Sequence, residues 1–194
     1  MTRNDFPRLA TAALALGLAA MTPQAPIADE LSDAIAAVRA ANEKYRDVNA
    51  ALADGFILAP PGECVSAAAE GLPPEWGDMG IHYIHPGRMR IVRTEPRLYG
   101  EGLNTDFLEP SILLYEPQAD GSLELVGVEN VVFREAWEAS GASGPPAFEG
   151  VAWDAMEGEH AHGFEAHYDL HVWAFRDNPA GVLKPFNPAV SCGG

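Results

Sequence analysis

Helical periodicity stops at Gly55, and that one change of texture confines the chain to a mixed α and β fold. Before it, Leu31, Ile35, Val38, Ala41, Tyr45, Val48 and Leu52 recur at spacings of three and four. That is the repeat of a single core-facing helix stripe. Asp33, Arg39, Glu43, Lys44, Arg46 and Asp47 occupy the other side. Asp29 and Glu30 suit the N-terminal end, where the peptide dipoles favour anions, and Gly55 suits the position just past the last turn. Residues 29–54 therefore read as one long amphipathic helix. Beyond them, glycine and proline (19 and 16 in the chain) cut the sequence into short apolar runs. Those runs are roughly four to eight residues long, the length of strands and too short for helices.

The strands expected from these runs are Phe56–Leu58, Gly80–Ile84, Ile112–Tyr115, Leu123–Phe133 and His167–Phe175. Asp120-Gly121 stands between two β-rich runs and predicts a tight hairpin with a two-residue turn. Such a turn sets Glu116 opposite Leu125. Residues 86–110 and 134–163 read as long loops. The expected architecture is α+β: one long N-terminal amphipathic helix packed on a mainly antiparallel β-sheet with long loops.

The first residues, MTRNDFPRLATAALALGLAAMTPQAPIADE, obey a different logic. Arg3 and Arg8 precede an alanine-rich apolar stretch from Leu9 to Met21, and small residues and prolines come after it. A basic start, a short apolar core and a small-residue exit make a secretory signal peptide. The stretch is too short to span a bilayer, which takes about 20 residues. The reading is a signal peptide over 1–25, cleaved somewhere between residues 20 and 28, and then a single globular domain over 26–194. No later segment is apolar enough to span, so the product is expected to be exported, periplasmic or extracellular. Cys64 and Cys192 are the only cysteines. In an oxidising compartment they have one intramolecular pairing available, which would tie down the C-terminal tail.

With 12 basic and 28 acidic residues the formal net charge is −16. Such a chain repels nucleic-acid phosphates and anionic lipid, and it attracts cations. All six histidines fall in two places. His82 and His85 lie in MGIHYIHP; His160, His162, His167 and His171 lie in EGEHAHGFEAHYDLHVW. On a strand, His167 and His171 are about 13 Å apart and cannot share one ion. His171, inside the apolar HVWAF run, is the better candidate for a buried site. Along 123–133, Leu123, Leu125, Gly127, Glu129, Val131 and Phe133 are expected to share one side, so Glu129 points inward. A buried carboxylate needs a cation, a metal or a proton. His82 is the third inward candidate. Two histidines and one carboxylate leave coordination positions open, as in catalytic zinc and non-haem iron sites. His160, His162 and His167, in a polar Glu-rich stretch, form a weaker candidate loop site.

At GIHY, LLYEP, LVGVEN, HYDLHVW, NPAGVLKPFNP, the terminal SC and KYRDVNAALADG, the chain resembles a family of exported bacterial proteins of unassigned function, over roughly residues 28–192. The resemblance implies export and names no reaction. The residues themselves raise three functional expectations. The first is an exported metal-binding protein, a carrier or sequestering protein for a transition metal such as Zn, Cu or Fe. The second is a metal-dependent or acid–base enzyme of the periplasm: a hydrolase, lyase or oxygenase. The third is a non-catalytic interaction module of the cell envelope. The partner expected is a metal ion or small molecule, with no nucleic acid and no membrane span after signal cleavage.

Overall fold

The computed structural model describes residues 27–157 and 163–193. The stretch 1–25, read above as a signal peptide, lies outside these described residues, as do His160 and His162. The single helix expected over 29–54 is replaced by three pieces: α1 (Ile27–Asn42), a 3₁₀ turn (Glu43–Arg46) and α2 (Val48–Ala53). Asp47 makes the break. It is extended, and its carboxylate accepts the Asn49 N–H at 2.9 Å, an N-cap in place of a continued helix. Asn42, not Ala41, turns inward and donates to the carbonyls of Val38 and Phe107 at 2.8 and 3.0 Å. Leu52 points out, half exposed. Breaking the helix also frees the Tyr45 carbonyl, which accepts the buried Tyr115 hydroxyl at 2.6 Å.

The rest of the chain is β-rich. In chain order come β1 (Ile57–Leu58), β2 (Cys64–Ser66), β3 (Asp78–Ile84), α3 (Pro86–Met89), β4 (Ile91–Arg93), β5 (Tyr99–Gly100), β6 (Ile112–Pro117), β7 (Leu123–Phe133), α4 (Arg134–Ala139), β8 (Ala147–Phe148), β9 (Val151–Ala152), β10 (Asp154–Met156) and β11 (His167–Val172). A seven-stranded sheet runs β1-β3-β6-β7-β11-β10, with β2 also on β3, and its pairings are antiparallel. The segments expected as long loops are not structureless. The first carries α3 and the β4–β5 pair; the second carries α4, the β8–β9 pair and β10. Their runs of two to six residues are too short to show a period in sequence.

Both faces of the sheet are buried. On one, Leu113, Tyr115, Leu125, Val128, Val132, Leu170 and Val172 cluster with Val38, Tyr45 and Ala51 of the helical segment. On the other, Ile84, Ile112, Leu114, Val131 and Phe133 pack with Met89, Leu98, Phe164, Trp173 and Val190. The β6–β7 hairpin sets which residues face which side. Its loop is Ala119-Asp120-Gly121, closed by Gln118 N–H to Ser122 O at 2.9 Å, with Gly121 at φ 83°. Glycine in that left-handed position suits a three-residue loop, not the expected two-residue turn. Glu116 therefore pairs with Glu124, and Tyr115 with Leu125. Leu114 pairs with Gly127, so Val126 is an extra residue, a β-bulge. The expected common side of β7 splits there. Leu123 and Leu125 face the helices, while Val131 and Phe133 face away from them.

A disulfide joins Cys64 on β2 to Cys192 in the tail, across 128 residues. Closing a loop of that size lowers the entropy of the unfolded chain, by about 4–5 kcal/mol in the chain model. Around it, Glu116 accepts the Ser191 N–H at 2.8 Å and pairs with Arg176 at 2.7 Å, and Val190 enters the core. Among the described residues no helix is long and apolar enough to cross a membrane.

The Tyr115–Tyr45 bond joins the helical layer to the sheet in a dry setting, where burial also pushes the phenol's pKa up. Tyr115→Phe keeps the ring and strands the carbonyl. Urea unfolding is expected to show a loss of about 1–2 kcal/mol. Unchanged stability would mean that this bond adds nothing to the attachment of the helical layer.

Candidate metal centre

Three strands each bring one metal-ligating side chain to a common point on the face opposite the helices. Glu129 of β7 lies directly across from His171 of β11. On its other side Glu129 faces Ile112 of β6, and Ile112 faces Ile84 of β3. His82 is two residues before Ile84, so it shares that face and reaches Glu129 diagonally across β6. His82 Nε2 lies 3.3 Å from Glu129 Oε2, and His171 Nε2 lies 3.6 Å from the same oxygen. One ligand atom from each residue falls within 4.8 Å of the others. The imidazole rings stand nearly perpendicular, at 85°, with centroids 6.4 Å apart. Donors about 2.1 Å from a tetrahedral ion are about 3.4 Å from one another. The two Glu129 separations match that value; the bound on the third pair is wider.

The site is dry. Glu129 is 3% exposed and His171 2%, and both lie among apolar residues. Burial alone would push the Glu129 carboxyl up. The His171 and His82 imidazoles, with His167 farther off, more than offset it and hold the group ionised, below the usual carboxylate range. Glu129 Oε2 and His171 Nε2 are nonetheless buried without a hydrogen-bond partner. Buried polar atoms are almost always satisfied, so two such atoms facing each other at 3.6 Å call for an explanation.

The tryptophan after β11 supports the arrangement. Its ring lies nearly parallel to that of His171, at 20° with centroids 6.2 Å apart, and its indole N–H donates to the Lys184 carbonyl at 2.6 Å. Gly127 makes the room. A Cβ there would lie 3.2 Å from the Trp173 ring and from the Val172 carbonyl, and 3.3 Å from Leu114. A glycine inside an apolar strand is the sequence signal of such close approach. Sequence reasoning singled out neither Gly127 nor Trp173 for the site.

The other histidines do different work. His167, grouped with His160 and His162 as a loop site, is the one of the three among the described residues, and it lies on a strand, not in a loop. It is buried at the start of β11, packs on Phe133 and Phe164, faces the Glu165 carbonyl through Nδ1 at 2.8 Å and lies 3.8 Å from Asp169 through Nε2. Burial disfavours its charged form, but Asp169 and the carbonyl overcome this and raise its pKa. His85 caps α3. Its Nδ1 accepts the Arg88 N–H at 3.2 Å, so Nε2 carries the proton and donates to the Asp54 carbonyl at 3.1 Å. Three tyrosines with a phenol to offer, Tyr83, Tyr115 and Tyr168, all pack with the helix-side cluster. Two broad surface depressions, one beside Arg46 and the 118–125 hairpin and the other beside Arg93, Tyr99 and Arg134, include none of the three site residues.

His85 yields a pH prediction. Burial, then the Arg88 charge, lower its pKa below 6.5, so the folded state resists the proton that the unfolded chain accepts. Its stabilising contribution is whole above that value and is lost as pH falls below it. The stability difference between the wild type and His85→Gln should shrink from about pH 7.5 to pH 5, a range spanning the ordinary histidine pKa, in denaturant unfolding. Parallel curves would show that His85 does not act through its neutral form.

Comparison of the chain with models of known protein families, with curated proteins and with solved structures returns no match.

Proposed function

We propose that this is an exported metal-binding protein, a carrier or sequestering protein, which holds a divalent transition metal ion of the Zn, Cu or Fe class between His82, Glu129 and His171. The observation that carries the reading is the buried convergence of two imidazoles and one carboxylate, with Glu129 Oε2 and His171 Nε2 left without hydrogen bonds. An ion would satisfy both atoms at once. Imidazole and carboxylate together suit borderline divalent metals, and the group contains none of the sulfur ligands that favour Cu(I). The net charge of −16 raises the local concentration of cations. Export is supported by the signal-peptide pattern of residues 1–25, by the resemblance to an exported family, and by a disulfide of the kind that persists in oxidising compartments.

Zinc affinity, measured by competition with a chromophoric chelator, tests the reading. Glu129→Gln and His171→Ala should each weaken zinc binding by at least about 10-fold, the least that even outer-shell partners of metal sites contribute. His160→Ala should change it little. Circular dichroism identifies any variant that has lost its fold, and the near-isosteric Glu129→Gln is the variant best placed to keep it. Equal losses from all three substitutions, or no loss from any, would count against a buried site.

A further inference from the structure

We infer that the bound ion keeps one coordination position for a small monoanion, which reaches it from the His82 side. This rests on the metal reading above and adds a ligand to it. The first argument is ligand count. Among the described residues the converging group has three members, and no other His, Cys, Asp or Glu joins them. Zinc-like ions take four ligands or more, and three-ligand protein sites hold the next position for an exogenous group.

The second argument is charge. An imidazole that gives its lone pair to a metal is neutral, so a divalent ion with Glu129 as its one anionic ligand retains a positive charge. That charge would sit on a face built of Ile84, Ile112, Leu114 and Trp173, where an uncompensated charge is costly. The nearest other buried carboxylate on β11, Asp169, is engaged with His167 at 3.8 Å. A monoanion on the ion completes the compensation.

Access sets the size of that anion. Glu129 and His171 are sealed at 3% and 2% exposure, whereas His82 is 9% exposed and is the only one of the three near solvent. The broad surface depressions lie elsewhere. Entry past a single residue of 9% exposure favours an anion as small as azide or formate over an aromatic carboxylate.

Cobalt(II) makes the test visible, because its d–d bands respond to a change of inner-sphere ligand. The full exported chain is loaded with Co(II) and titrated with azide, formate and benzoate, with perchlorate as the matched weakly coordinating control. The expected result is a saturable shift of the visible bands with azide and formate, and no shift with benzoate or perchlorate. Co(II) bands that form in the wild type, vanish in Glu129→Gln and do not respond to azide or formate would overturn the inference and leave the metal site standing; the chain itself would then fill the position. A shift with benzoate as large as that with formate would overturn the size limit. Failure of Co(II) to develop bands at all would overturn both the inference and the metal site beneath it.

Discussion

One extra residue in β7 decides which side of the sheet Glu129 occupies. Without the bulge at Val126, Glu129 would share a face with Leu125 and look toward the helices. With it, Leu125 goes to the helix side and Glu129 meets His171 and His82 on the other. The bulge also positions the segment just after β11. The Val126 carbonyl accepts both the Phe175 and the Arg176 N–H, at 3.2 and 3.1 Å, which fixes the segment carrying Trp173 against the site. A bulge breaks ladder pairing locally, and here the freed carbonyl finds two donors, so little polar surface is left unsatisfied.

The rest of the site depends on that register. Gly127 next to the bulge lets Trp173 approach, and Trp173 stacks on His171. The tail that covers this face is tied down by the Cys64–Cys192 disulfide, by the Ser191 N–H bond to Glu116, by paired backbone bonds between Asn187 and Asp78, and by Val190, which joins the same apolar cluster as Trp173. The apolar wall keeps water from the carboxylate and the His171 imidazole, and a dry wall strengthens whatever charge–charge attraction acts within it. A metal ion held there would turn that same dryness from a cost into binding energy.

Much of this was legible in the residues. The span Leu123–Phe133 reads as a strand from its β-rich composition and is one. The rise per residue along a strand separates His167 from His171, and the structure brings only His171 to Glu129. The bulge was not legible, because LELVGVENVVF is apolar on both sides. A strand buried on both faces loses the alternation that would reveal a slip of one residue. The helix break was hidden for a related reason. Asp47 reads equally as an exposed helix residue and as a cap, and only the burial of Tyr45 against Phe56 and Tyr115 decides between them. The small elements inside 86–110 and 134–163 depend on tertiary contact, which no local pattern records.

The central claim is that a metal ion joins His82, Glu129 and His171. Elemental analysis of the protein, purified without a histidine tag or chelator, tests it most directly. The account predicts about one equivalent of a Zn-, Cu- or Fe-class ion, retained through dialysis and lost in Glu129→Ala. Protein that carries no metal, and takes up none when dialysed against each of these ions, would contradict it; the three side chains would then be structural or acid–base groups.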